Sequence, residues 1–177
     1  ATVSEGADTD TYTVVLNAQP DSDVVITVTS ADTGEVTVSA AELTFTNGNW
    51  NSAQTVTLTG VDDNLVDGSV NTLVTMAVKD ASSDDNFDGV SDQTVTVTTT
   101  DNDTAGFTLS STTATVTEAA GGGNTATYTV VLNAQPDSDV VISVTSADTG
   151  EVTVSSGTLT FTEANWNNAQ TVTLTGV

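Results

Sequence analysis

Apolar and polar side chains alternate with a period of two along nearly the whole chain. The runs "TYTVVLN" (11–17), "DVVITVTS" (23–30), "ELTFT" (42–46), "QTVTLTGV" (54–61), "NTLVTMAV" (71–78) and "QTVTVTTT" (93–100) set Val, Leu, Ile, Phe or Met against Thr or Ser. Alternation of this kind belongs to strands with one buried face. Thr and Val suit such strands because branching at Cβ restricts the first side-chain torsion and fills a pleated surface. Asn, Asp, Gly and Pro, the turn-making residues, lie between the runs. Nothing reads as a helix longer than a turn. The predicted strands cover 1–4, 11–17, 23–30, 35–46 (broken by a bulge), 54–60, 70–78 and 92–100.

The pattern then returns. Residues 127–177 repeat residues 11–61 at an offset of 116, with 44 of 51 positions identical. "ATVSEG" (1–6) is likewise answered by "ATVTEA" (114–119), and Gly121–Gly123 are additional in the second copy. Copies this similar imply a tandem array in which each repeat is one structural unit. Seven short strands per copy, with turns every ten or so residues, predict an all-β chain of tandem antiparallel sandwiches of immunoglobulin type. The domains are framed as residues 1–104, where the start of the first strand is missing, and 105–177, which stops after the fifth strand. The first copy has no counterpart of "GFTLSSTT" (106–113), and the second has none of "DDNLVDG" (62–68). Lacking its last two strands, 105–177 is expected not to be stable alone, and to form no acidic cage around Glu118.

Charge narrows the function. The 177 residues include 24 acids, one base (Lys79), no His and no Cys, for a net charge of −23. Nucleic acid and anionic membrane both require Lys and Arg, so neither is an expected partner. No apolar run is long enough to span a bilayer, and no direct membrane insertion is expected. Charge this high destabilises a compact state unless cations neutralise it.

The acids are not spread evenly. Consecutive strands of a sandwich run up and down, so the loops after the first, third and fifth predicted strands share one pole with the end of the last. Glu5 lies in the first of these loops, Asp32 in the next, and Asp62, Asp63 and Asp67 in the third. Asp101, Asn102 and Asp103 follow the last strand. Calcium takes six to eight oxygens in irregular geometry, whereas zinc would want His or Cys. The plain alternative is a solvated acidic cluster, which a single turn aspartate usually is. Convergence of three loops and a linker favours calcium.

"VSEG", "DDNLVDG" and "DND" (101–103), in this order and spacing, resemble the Calx-beta domain, and the tandem copies resemble extender arrays of large bacterial surface adhesins. The resemblance implies calcium ligands at Glu5, Asp62, Asp63 and Asp67, at the Leu65 carbonyl, and at Asp101 and Asp103. Asn102 departs from the all-acid triplet of the exchanger version. Asp32 has the least certain register. The implied role is a calcium-stiffened spacer at the bacterial cell surface, outside the cell. Its partners would be calcium and neighbouring repeats of the same polypeptide. The ligand of any distal adhesive module is not legible.

Other motifs are less telling. Asp84, Asn86 and Asp88 mimic the opening of an EF-hand loop but lack its closing Glu and flanking helices. Local backbone hydrogen bonds account for them better. Trp50 and Trp166, in "NGNWNSAQ" and "EANWNNAQ", either stack on a sugar or cap the sandwich core, and the second is the expectation. "AQPDSD" (18–23) is a Pro-fixed turn, and "GGGN" (121–124) a flexible turn with no phosphate-loop context. Without His or Cys, and with few aromatics to wall a cleft, no enzyme is expected. A carbohydrate-binding module and a calcium-sensing module are the competing functions.

Overall fold

The computed structural model describes residues 1–118 and 124–177. Most of the expected Gly-rich turn at 121–124 lies outside the described residues. Contacts divide the chain into two compact units, Ala1–Asp63 with Asp67–Asn102, and Asn64–Val66 with Asp103–Val177.

The first unit follows the alternation closely. Its strands are β1 (Thr2–Ser4), β2 (Thr9–Val14), β3 (Val24–Ser30), β4 (Val36–Val38), β5 (Glu42–Phe45), β6 (Gln54–Gly60), β7 (Val70–Val78) and β8 (Gln93–Thr100). They form a five-stranded sheet, β1-β8-β7-β3-β5, and a three-stranded sheet, β2-β6-β4. Every second residue of β3 (Val24, Ile26, Val28) is buried, as are Val56 and Leu58 of β6, Val74 of β7 and Val97 of β8. These side chains form one core, to which each fully buried Val or Leu contributes about 1.5–3 kcal/mol.

The expected bulge at 35–46 is a change of sheet. β4 pairs with β6 while β5 pairs with β3. The apolar positions explain it, because Val36, Val38 and Ala40 keep one phase and Leu43 and Phe45 take the other. A one-residue slip in a period of two reverses the inward face, so the two halves cannot serve one sheet. Ser39 N still donates to Thr57 O, and Val28 N to Ala41 O, on either side of the crossing.

A second departure positions the site described below. β1 is not antiparallel to its neighbour. It runs parallel to β8, in register Thr2↔Thr98 through Ser4↔Thr100.

The second unit contains β9 (Phe107–Leu109), β10 (Thr125–Leu132), β11 (Val140–Ser143), β12 (Val152–Val154), β13 (Thr158–Phe161) and β14 (Gln170–Gly176). Their order is β12-β14-β10-β9, with β11-β13 as a separate pair. Repeated sequence gives repeated register: Tyr128↔Val172 here matches Tyr12↔Val56 in the first unit. Val130, Leu132, Val144, Leu159, Phe161 and Val172 form its core. Among the described residues no strand lies along the outer edge of β11, where β7 lies along β3 in the first unit. No helix among them is long and apolar enough to cross a membrane.

Candidate metal centre

Parallel pairing of β1 with β8 makes Glu5 and Asp101 leave the five-stranded sheet side by side. Glu5 N donates to Thr100 O at 3.1 Å, continuing the ladder one residue past the strands. An antiparallel β1 would have sent Glu5 to the far end. The three-stranded sheet delivers the next segment. At the end of β6, a Cβ on Gly60 would lie 2.1 Å from Ser4 O, so only glycine allows β6 this near β1. Asp62 and Asp63 follow it directly. Gly6, at φ +86°, turns the chain away after Glu5.

Glu5 is 5% exposed. Its Oε2 accepts from Asn102 N at 3.2 Å, and Asn102 Nδ2 donates to Asp62 Oδ1 at 3.2 Å. Gly68 N donates to Asp101 Oδ2 at 2.8 Å. Carboxylate oxygens of Glu5, Asp63 and Asp67 lie within 4.8 Å of one another. Burial pushes the Glu5 carboxyl above its ordinary 4.5; the Asn102 N–H opposes this, and the charges of Asp101, Asp63 and Asp67 add to the rise.

Sequence reasoning missed Glu35. It stands beside the first residue of β4, half-buried, and its carbonyl accepts from Val61 N at 2.9 Å, against the segment leaving β6. Its Oε2 is buried with no hydrogen-bond partner among the described residues. Burial pushes its carboxyl up, as do the charges of Asp67, Asp32 and Asp63. The available signal was its place on the polar phase at a strand end, but a strand predicted to start at 35 absorbed it.

Asp32, Leu65 and Asp103 are also expected ligands. Asp32 builds its own turn: its Oδ1 accepts from Gly34 N at 2.9 Å and its carbonyl from Val36 N at 3.1 Å. Leu65 belongs to the second unit, where it bridges Gln135. Asp103, half-buried, also belongs to that unit. The first unit therefore gathers Glu5, Asp62, Asp63, Asp67, Asp101 and Asn102, with Glu35 beside them.

These residues fit a hard cation. The donors are all oxygen or amide, one carboxylate is buried, and another has an orphaned buried oxygen. The one basic side chain of the chain, Lys79, is engaged elsewhere, with Glu42 at 2.6 Å. Calcium matches an irregular, oxygen-only set.

The second acidic stretch has another chemistry. Asp84, 4% exposed, accepts from Asp21 N (2.6 Å), Ser22 N (3.1 Å), Asn86 N (2.9 Å) and Asn86 Nδ2 (2.9 Å). The Asn86 N–H, then Ser22 N, hold its carboxyl below the ordinary range. Asp84 is thus a peg between two turns, which needs no metal.

No family model matches the sequence, and neither does any curated protein. Among solved structures, CBD12 from CALX1.2 aligns with 99% of this chain and 72% of its own length, at 16% identity and a TM-score of 0.38. The calcium binding domain CBD12 of CALX1.1 aligns with 99% and 71%, at 16% identity and TM-score 0.43. SSP-19, an MSP-domain protein like family member in Caenorhabditis elegans, aligns with 56% and 91%, at 15% identity and TM-score 0.36. Scores this low leave the fold resting on the chain's own strand pairing.

Proposed function

We propose that the first unit is a calcium-stabilised β-sandwich. We further propose that the chain serves as a non-catalytic spacer in a secreted, repetitive surface adhesin of bacterial type. One observation carries the calcium reading: Glu5 is buried, accepts a hydrogen bond from Asn102 N, and sits among the carboxylates of Asp63 and Asp67. Glu5, Asp63 and Asp67 would hold the ion, with Asp62, Asp101, Asn102 and Glu35 around it. A bound calcium supplies positive charge that offsets their repulsion. The chain's own part is to deliver the carboxylates, through the parallel β1–β8 pair and the Gly60 contact.

The spacer reading rests on repetition. Near-identical copies serve reach more directly than recognition, and their partners would be neighbouring repeats of the same polypeptide. Sugar binding finds little support, because Trp50 and Trp166 are both partly buried against their cores. Calorimetric titration of calcium into the chelator-stripped chain tests the calcium reading. Saturable binding that Glu5→Gln weakens at least tenfold is expected; no binding at millimolar calcium sinks it.

A further inference from the structure

Of the residues gathered at the acidic pole of the first unit, Asn102 alone has a side chain that donates hydrogen bonds when the acids are ionised. It lies two residues beyond the end of β8, where the parallel ladder with β1 would next continue. The Glu5 N–H has just donated to Thr100 O, so in a regular ladder the Asn102 N–H would donate to the Glu5 carbonyl. It donates instead to the Glu5 carboxylate, at 3.2 Å to Oε2. The ladder thus ends on a charged side chain and holds it at the pole.

The Asn102 amide then reaches the other sheet. Its Nδ2 donates to Asp62 Oδ1 at 3.2 Å, two residues past the end of β6. This bond passes over the Gly6 turn: a Cβ on Gly6 would stand 3.5 Å from Asn102 Nδ2 and 3.9 Å from Asp62 Oδ1, in ordinary contact with both. One residue therefore ties together the segments that leave β1, β6 and β8. The backbone bond to Glu5 is open to any residue at 102 except proline. The bond to Asp62 is not, because Ala has nothing to donate and Asp would set a second carboxylate against the first. The surroundings sharpen the difference, since Asp101, Asp63 and Asp67 already push the Glu5 carboxyl up against the pull of the Asn102 N–H.

We propose that Asn102 is a positioning residue, an amide clip that holds Glu5 and Asp62 in place and sets the balance between calcium affinity and the stability of the ion-free unit. The calcium half rests on the reading proposed above; the clip itself does not. An amide supplies a donor without adding charge. An acid at this position would attract a divalent cation more strongly and would repel Asp62 whenever no ion is bound.

Melts in chelator and calorimetric calcium titrations of four chains test this: the parent, Asn102→Ala, Asn102→Asp, and the exchange that combines Asp62→Asn with Asn102→Asp. In chelator, Asn102→Ala should melt roughly 3 °C below the parent for the lost hydrogen bond, and Asn102→Asp lower still. Toward calcium the order reverses. Asn102→Asp should bind about tenfold tighter than the parent. Asn102→Ala should bind about threefold weaker, because Asp62 is no longer held in advance. The exchange keeps the net charge and again sets an amide donor against a carboxylate, so its chelator melt should return to within about 2 °C of the parent.

Chelator melts of Asn102→Ala and Asn102→Asp equal to the parent's would overturn the clip, as would an exchange that melts no higher than Asn102→Asp alone. Weaker calcium binding by Asn102→Ala with an unmoved chelator melt would overturn it too, by making Asn102 a ligand. Asn102→Asp binding calcium no tighter than the parent would overturn the role in affinity. A parent chain that binds no calcium fails the calcium reading, and the chelator melts, which need no ion, still decide the clip.

Discussion

Glu5 and Asp84 are both buried carboxylates of the same sandwich, 5% and 4% exposed, and the fold treats them in opposite ways. Asp84 accepts four hydrogen bonds from Asp21, Ser22 and Asn86, and its carboxyl is held down. Glu5 accepts one from Asn102 N, faces Asp63, Asp67 and Asp101, and its carboxyl is pushed up. Burial of an acid therefore does not mark a metal site. The number of donors aimed at it does, because a buried charge is stable only when something compensates it. Asp84 is compensated by the chain, whereas the proposed calcium would compensate Glu5.

Calcium should separate the two most sharply. An ion that binds only the folded unit adds about 2.7 kcal/mol at a free concentration ~100 times its dissociation constant. For a unit of about 100 residues this corresponds to roughly 10–20 °C in melting temperature. A melt indifferent to excess chelator would put Glu5 in the same class as Asp84 and break the comparison. Glu5→Gln should remove most of the calcium-dependent rise. In chelator, the same variant should melt at or above the parent, because it deletes an uncompensated buried charge. A Glu5→Gln chain melting well below the parent in chelator would show that the charge already has its partners.

Asp84→Ala should lower the melting temperature by roughly 5 °C or more, with or without calcium, since the N–H groups of Asp21, Ser22 and Asn86 lose their acceptor. The pH dependence carries the sign. A carboxyl held below its ordinary 3.8 in the fold stabilises fully above that value. That stabilisation is lost as pH falls through the lower, folded value. Glu5 has the opposite sign in chelator: pushed above 4.5, it favours the fold most at low pH and less as pH rises through the raised value. Subtracting the acid melts of Asp84→Asn from those of the parent should leave a slope confined below about pH 4. No difference between them would mean that Asp84 is not pegged as described.

Period-two alternation was enough to place the strands, because half-buried β structure writes itself in apolar and polar residues. It did not report the sheet switch at Ser39–Ala41 as such, although the slip from Val36, Val38 and Ala40 to Leu43 and Phe45 carries it. The neighbour of β1 was hidden as well. Loop parity put the end of β1, and so Glu5, at the pole where the last strand ends, but a three-residue strand, Thr2–Ser4, does not say that it pairs with β8. Loop parity grouped the acids at one pole, but parity does not say which carboxylate already has a donor. That depends on backbone N–H directions, which spacing alone does not encode.

Asp32 and Glu35 put that last point to the smallest test. They are three residues apart, and both lie near enough for charge coupling, since Asp32 contributes to the rise at Glu35. Asp32 Oδ1 is committed to Gly34 N, as Asp148 Oδ1 is to Gly150 N in the second unit at 3.0 Å. Asn at position 32 would keep that acceptor, as Asn commonly does in such turns. Glu35 Oε2 has no donor among the described residues, so its charge would be available to the proposed ion. Glu35→Gln should therefore weaken calcium binding by about tenfold, a loss of roughly 1.4 kcal/mol. Asp32→Asn should weaken it by less than about threefold, through long-range charge alone, and 1 M salt should erase that remainder. Calorimetric titration of the two variants in parallel decides the matter. A larger loss from Asp32→Asn than from Glu35→Gln would return the ligand role to the turn and take it from the strand end.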